Sequence, residues 1–371
     1  MTTTPLPRIL LKNSWMKQLF DTYTEGARLS TDEALRLLLL ENEDDQRALW
    51  DFADQVRKKY VGDVVYYSST FYLYPTNFCD FNCTFCAFYA KPGDAKGWFY
   101  TPDQLIQKIH ELDVPVTEAH IVSGCFPECN LDYYTELFRK IKTNFPHIHI
   151  KALTGIEYAY LAQLHNIPVV EVLKILKNSG LDSIPGGGFD ILVDEIRQVL
   201  APGRLSSQAF LDIHRTAHNL GIPSNSTMLC YHREKPEDLV THMEKLRNLQ
   251  DDTLGFKNFV LLKFATENNP LGKRLRKIGR FHNIPPASII AVARLFLDNF
   301  RNIKALWNYL GIEQALHLLS CGANDLSSTH IGEKVFQMAS SNQSIKMDIE
   351  GMASLIKKQG RIPCLTNSKD V

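Results

Sequence analysis

From Gly62 onward the chain alternates short apolar or β-branched runs with charged stretches of helical spacing, and this leaves few folds open. A strand can reach a parallel neighbour only through a crossover, most often a helix, so the alternation is that of parallel βα units. The runs lie at 71–76, 119–122, 148–153, 181–184, 225–229 and 259–264, with two weaker ones near 303–306 and 321–323. Between them the spacing predicts helices over 131–143, 169–178, 206–220 and 236–249, the second and third stopped by Gly180 and Gly221. About eight such units close most simply into an α/β barrel of TIM type, (β/α)8. Because the last two runs are short and polar, a partly open (β/α)6 barrel with a helical tail is the alternative.

The length of 371 residues suits one barrel with decorated ends. Ser30-Thr31-Asp32-Glu33 has capping-box spacing and opens an amphipathic run over 34–59. The expected division is a helical N-terminal extension (1–62), the barrel (63–330) and a helical C-terminal tail (331–371) whose last residues, 366–371, are untethered. Apolar residues make up 44%, enough for a sizeable core. Lys plus Arg equals Asp plus Glu at 41 each, with no basic block, so the expected partner is a small molecule and not a nucleic acid. Residues 1–15 carry Arg8 and Lys12 but no apolar run of signal-peptide length, and later runs such as 37–40 are too short to span a bilayer. The expectation is a cytoplasmic protein without membrane association, whose thiols are reduced.

Among eight cysteines, Cys79, Cys83 and Cys86 follow the first strand with C-x3-C-x2-C spacing. Three thiolates on one loop can hold three irons of a [4Fe–4S] cube and leave the fourth without a protein ligand. That open iron can chelate the amino and carboxylate groups of S-adenosylmethionine and hold its sulfonium beside a low-potential reductant. A structural zinc site needs four ligands; no C-x2-C pair follows downstream, and the H-x3-H pair His214 and His218 falls on a helix of the outer ring. Phe85, an aromatic between two of the thiols, is a candidate for packing against adenine. Cys125, Cys129, Cys230, Cys321 and Cys364 read as small buried hydrophobes.

Other constellations carry less. Gly186-Gly187-Gly188 lacks the P-loop lysine and reads either as a close backbone approach to ligand or as a tight βα turn. His214 and His218 stand at i, i+4 on a helix of the outer ring, where packing is the expected role. Lys151, Glu157 and Asn225 lie at or just past the ends of strands three and five, on the face where barrels carry chemistry.

From about Tyr74 to Pro363 the chain resembles the radical S-adenosylmethionine enzymes of the futalosine route to menaquinone, in particular the aminofutalosine synthases. The resemblance is carried by Thr76-Asn77 before Cys79, Cys86-Ala87-Phe88, Lys151-Ala152 with Glu157, and Pro185-Gly186-Gly187-Gly188. Further on come His214-Arg215-Thr216-Ala217-His218, Asn225-Ser226-Thr227-Met228-Leu229 and Gly322-Ala323-Asn324-Asp325-Leu326. A sister cyclase, acting by hydrogen abstraction, shares the cysteines and glycines, but the 151–157 and 214–218 segments look like the synthase.

The resemblance implies a radical-SAM (β/α) barrel with a [4Fe–4S] cluster, and S-adenosylmethionine consumed as co-substrate. It further implies an aromatic dicarboxylate substrate, 3-[(1-carboxyvinyl)oxy]benzoate, a reducing partner such as flavodoxin or ferredoxin, and 6-amino-6-deoxyfutalosine with methionine and bicarbonate as products. Ser123 and Gly124 would hold the amino group of S-adenosylmethionine through their backbone, Glu157 would also face the cofactor, and Lys151, Gly187 and Asn225 would face the substrate. Ser123-Gly124-Cys125-Phe126-Pro127 departs from the usual Gly-Gly-Leu-His-Pro, Tyr231-His232 from Gly-His, and Phe189-Asp190 from Ala-Glu. These departures point to strand ends where substrate would lie. The rival of a different class is a non-catalytic metal-binding barrel.

Overall fold

The computed structural model describes residues 12–279, 281–340 and 347–366. Its strands are β1 (Val64–Ser68), β2 (Thr70–Leu73), β3 (Glu118–Ile121), β4 (His149–Ala152), β5 (Ser224–Cys230), β6 (Phe256–Lys263), β7 (Asn302–Lys304), β8 (Asp325–Ser328) and β9 (Ile362–Thr366). β1 and β2 are one strand bent at Ser69, pairing with β8 through its first half and with β3 through its second. β3 pairs with β4, and β5 through β8 pair in sequence order, all in parallel. The gap between β4 and β5 is bridged by Ser183 opposite Lys151 and Ile184 opposite Ser224. The ring therefore closes as (β/α)8, and the six-unit alternative falls away.

Three expectations change. The eighth strand is not 321–323, which forms the exit turn of the helix Ile312–Leu318, with Ala323 N–H donating to Leu318 O (3.1 Å). It is Asp325–Ser328, polar because its side chains meet other polar groups inside the barrel. The run 34–59 is two helices, Thr31–Leu38 and Glu43–Val61, because Asn42 caps a new start by accepting from Asp45 N–H (3.1 Å). Ser30 and Glu33 form the expected capping box. The tail holds a helix, Ile349–Lys358, but also β9, which adds to β1 in register from Val64–Ile362 to Ser68–Thr366. The expectations for residues 1–11 and 367–371 lie outside the described residues.

The helix Pro286–Phe296 is buried from Ala287 through Phe296 because the N-terminal helices cover its outer side. Trp50 Nε1 donates to Ser288 Oγ across that contact (3.0 Å), and Phe20 stacks on Phe52 at 3.8 Å beneath it. Among the described residues no helix is long and apolar enough to cross a membrane.

Candidate active site

After β2 the chain leaves the ladder and is tied into a closed loop by Asn77, which is fully buried. Its Nδ2 donates to Phe88 O (3.2 Å) and Lys96 O (3.0 Å), and its Oδ1 accepts from Trp98 N–H (2.9 Å). Cys79 N–H donates to Ala90 O (3.1 Å), Lys91 Nζ to Cys79 O (2.6 Å), and Thr84 N–H to Leu200 O (2.8 Å). Cys79, Cys83 and Cys86 thus stand on a loop fixed at both ends. A hydrogen bond with Cys125 lowers the Cys79 thiol to about 6, while burial pushes Cys83 up to about 12 and raises Cys86.

Cys86 and Phe85 open onto a cavity of about 290 Å³ at the C-terminal ends of the strands. Ser123, Glu157, Lys151, Gly187 and Asn225 line the same cavity, so residues far apart in sequence are brought to one place. Gly124 does not line it; it packs beneath, where an added Cβ would stand 2.0 Å from Phe78 O. Glu157 is positioned by a capping box, accepting from Thr154 N–H (2.7 Å) and from Ser123 N–H (2.9 Å). The Ser123 N–H is therefore already engaged. Burial raises Glu157 to about 7.

Lys151 Nζ lies 2.6 Å from Glu118 Oε1, and burial lowers its pKa. The glycine triplet packs against protein as well as cavity: a Cβ on Gly186 would meet Thr227 Cγ2 at 2.5 Å, and one on Gly187 Thr154 Cγ2 at 2.8 Å. His214 and His218 share Ser224 Oγ at 2.9 and 2.8 Å, away from the cavity. Of the departures, Asp190 and Ser123 line the cavity, but Phe126 and Tyr231 do not. Phe126 packs on Phe78 (5.3 Å), and Tyr231 donates its OH to Ile284 O (2.9 Å).

Several cavity residues escaped the sequence reading. Arg204 pairs with Asp190 (3.2 Å) and lies over the Phe85 ring (5.5 Å), and its buried Nε has no partner. Lys304 stands 3.3 Å from Asp325. Tyr72 OH and Ser327 Oγ flank the two nitrogens of His330 at 3.0 and 3.1 Å, and His120 stacks on Tyr72 at 4.5 Å. Burial lowers His120 to about 3, so its ring is neutral. The signal available was the run of polar residues Asp325-Leu326-Ser327-Ser328-Thr329-His330, too polar for a strand unless it faces a polar cavity.

Among the described residues no three Cys, His, Asp or Glu side chains converge as ligands of a single ion. Thiolates that each take a different iron of a cube need no such convergence. The fit is favourable on two further counts. The thiol loop borders the cavity, and the orphaned Arg204 donor beside it suits the carboxylate of an amino-acid ligand.

Residues 73–246 match the Radical SAM superfamily and residues 253–370 the CofH/MqnC C-terminal region. The chain is 38% identical over 340 residues to the aminodeoxyfutalosine synthase of Thermus thermophilus, covering 91% of each chain. It is 35% identical over 336 residues to the 5-amino-6-(D-ribitylamino)uracil–L-tyrosine 4-hydroxyphenyl transferase of Methanococcoides burtonii, covering 90% of this chain and 92% of that one. In fold it matches the crystal structure of methylornithine synthase, with TM-score 0.75 at 18% identity over 95% of this chain and 98% of that one. The chain belongs to the radical S-adenosylmethionine superfamily, as an enzyme whose cofactors are a [4Fe–4S] cluster and S-adenosylmethionine.

Proposed function

We propose that this enzyme transfers the 5′-deoxyadenosyl group of S-adenosylmethionine to 3-[(1-carboxyvinyl)oxy]benzoate, giving 6-amino-6-deoxyfutalosine, methionine and bicarbonate in menaquinone biosynthesis. The observation that carries the reading is the gathering of Ser123, Lys151, Glu157, Gly187 and Asn225 around one cavity with Phe85 and Cys86. Lys151, Glu157, Gly187 and Asn225 come from segments on which the chain resembles the synthase, while Ser123 stands in a segment that departs from that pattern. The 38% identity to a synthase over 91% of the chain supports it further.

In this reading Cys79, Cys83 and Cys86 hold three irons. When bound, the cluster and S-adenosylmethionine supply the electron and the adenosyl radical. Phe85 offers an apolar face to adenine, and Arg204 offers its unpartnered Nε to the cofactor carboxylate. Glu157 fixes the Ser123 backbone beside them. Lys151 and Lys304, each already paired with a carboxylate, give the substrate's anionic groups cations to share. Asn225 and Gly187 line the same cavity, where they would face the substrate. The packed rings of Tyr72, Tyr74 and Phe88 give the cavity an apolar wall that would limit water around bound ligand.

A second reading has its own support in the 35% identity to tyrosine 4-hydroxyphenyl transferases. The two are separated by anaerobic incubation with a chemical reductant, S-adenosylmethionine and one candidate at a time. The candidates are the enol ether, or L-tyrosine with 5-amino-6-(D-ribitylamino)uracil. Methionine release that depends on the enol ether supports the synthase. Release that depends on the tyrosine pair, and not on the enol ether, overturns it. The same assay with flavodoxin or ferredoxin in place of the chemical reductant identifies the electron donor.

A further inference from the structure

The helix Pro270–Ile278 follows β6 on the face of the barrel that carries the cysteine loop, and it is pinned to that loop. Leu271 N–H donates to Thr84 O (3.0 Å), and Thr84 is the residue after Cys83. Leu271, Gly272 and Leu275 are buried under the helix, while Lys273, Arg274, Arg276 and Lys277 are exposed on its outer side. Arg276 bends back, its Nη1 donating to Thr266 O and to Glu267 O (3.5 Å). Lys273, Arg274 and Lys277 have no carboxylate partner among the described residues. Two large apolar side chains continue the same surface, Ile278 at 62% and Phe281 at 47% exposure, and Arg233 reaches over the Phe281 ring at 5.9 Å.

The stability of the helix does not account for this charge. The helix has no acidic residue in its first turn, and Lys273 with Arg276, Arg274 with Lys277 and Lys273 with Lys277 are like charges at i, i+3 or i, i+4, which weaken it. Arg276 and Lys277 stand in its last turn, where the helix dipole favours cations, but Lys273 and Arg274 do not. Over the whole chain Lys plus Arg equals Asp plus Glu, so the concentration is local, and Leu275 divides the run enough to hide it in the sequence. We propose that this face, with Lys273, Arg274 and Lys277 around Ile278 and Phe281, docks an acidic protein that carries a low-potential one-electron centre and delivers its electron to the cluster. Exposed apolar groups ringed by cations suit a transient interface steered by charge. The helix has nine residues and is about 14 Å long, so a partner seated on it stands beside the loop of Cys79, Cys83 and Cys86. In the transfer the partner loses one electron and the cluster gains it, with no bond made or broken. An anionic membrane would answer to the same charge but gains nothing from a seat beside the thiols. The inference rests on that loop holding the cluster and not on the choice of substrate, so its failure leaves the proposed reaction standing.

The test compares the full-length wild type, reconstituted anaerobically, with the triple variant Lys273→Glu, Arg274→Glu, Lys277→Glu, using flavodoxin and ferredoxin as acidic donors. Binding of the oxidised donor is followed by calorimetry, and electron delivery from the reduced donor by the paramagnetic signal of the reduced cluster. At low salt the variant should bind about tenfold more weakly and be reduced about tenfold more slowly. Rising salt should bring wild type towards the variant. The final extent of reduction by excess dithionite should be the same in both. Lys357→Glu with Lys358→Glu, on the helix Ile349–Lys358 before the start of β9 at the opposite end of the strands, should behave as wild type. Equal donor binding and equal reduction rates in wild type and the triple variant overturn the proposal, as does an equal loss in the Lys357, Lys358 pair, or a wild type that binds neither donor. Unchanged donor binding with lost binding to phosphatidylglycerol vesicles gives the face to a membrane and overturns it too. Should the triple variant load less iron, Lys273→Gln with Lys277→Gln, which relieves the crowding of like charge, takes its place: a loss of about threefold is expected, and wild-type binding overturns the proposal equally. A wild-type protein that holds no iron is a different failure, which removes the cluster reading and this inference with it.

Discussion

Lys151 Nζ and Glu118 Oε1 meet at 2.6 Å on the cavity floor, with side chains 5% and 1% exposed, and Thr70 Oγ1 donates to the same carboxylate oxygen at 3.1 Å. Such a pair gains little overall, because desolvating two charges offsets most of their attraction. Breaking it is another matter. Lys151→Met should leave Glu118 as a buried charge without its cation and cost about 3–5 kcal/mol. The double variant Lys151→Met, Glu118→Met should recover much of that loss. Urea unfolding of the cluster-free protein measures both, and a single-variant cost below about 1 kcal/mol would contradict the pairing.

Cys79→Ala, Cys83→Ala and Cys86→Ala should each abolish loading of the cluster, whereas Cys129→Ala should retain about four irons per chain. Cys129 is buried, and its sulfur meets Ser123 Oγ at 4.0 Å, away from the thiol loop. Iron analysis after anaerobic reconstitution decides it. Full iron in Cys83→Ala would remove the assignment.

Gly124→Ala should disturb the same loop without touching a thiol, since its Cβ would meet Phe78 O, a backbone atom with little freedom to move. Overpacking of this kind costs about 1–3 kcal/mol, so iron loading should fall while the rest of the barrel stays folded. Normal loading and an unchanged melting curve would show that the loop yields easily.

Phe85→Ala should weaken S-adenosylmethionine binding several-fold, because aromatic packing is worth on the order of 1 kcal/mol, and leave iron content near normal. Binding to the loaded protein, followed by the change in the cluster's paramagnetic spectrum, is the readout. Unchanged affinity would take Phe85 away from the adenine.

Acid should destabilise the fold through buried histidines. Burial lowers His120 and His242 to about 3 and His149 and His218 to about 4. In the unfolded chain each takes a proton near pH 6.5, so stability falls as pH drops from about 6.5 towards 4, by up to about 1.4 kcal/mol per pH unit per group. Glu157, raised to about 7 by burial, acts in the opposite direction, since the folded state binds its proton first. Burial also lowers His214, His232 and His330 and raises Asp51, Asp54, Asp325 and Glu333, so seven depressed histidines stand against five raised carboxylates and set the sign between pH 7 and 5. Urea midpoints that do not fall between pH 7 and 5 would contradict this.

What was legible in the sequence is what repeats or clusters. Three thiols within eight positions announce their chemistry without any fold, and the helix Val169–Asn178 has the bounds its apolar spacing predicts. β8 was misplaced because hydrophobic periodicity assumes an apolar barrel interior, and here Asp325 and Ser327 answer to Lys304 and His330. β9 was missed because Ile362–Thr366 is half exposed and gains its ladder only from β1, almost 300 residues earlier. Arg204 was invisible for a different reason: a lone cation has no spacing to read, and only the fold brings it over Phe85. Phe126 and Tyr231 looked like substrate-site changes from their place after strands, yet they turn into packing around the loops and leave the cavity wall to others.

The measurement that tests the central claim most directly follows the adenosyl group itself. Turnover is run anaerobically with the enol ether and S-adenosylmethionine carrying a heavy-isotope label in its adenosyl carbons. The account predicts that the label appears in a larger, aryl-bearing nucleoside, with methionine released in step with it. Labelled 5′-deoxyadenosine formed one-to-one with product would mean that the radical abstracts hydrogen, as in the cyclase, and would contradict the transfer proposed here.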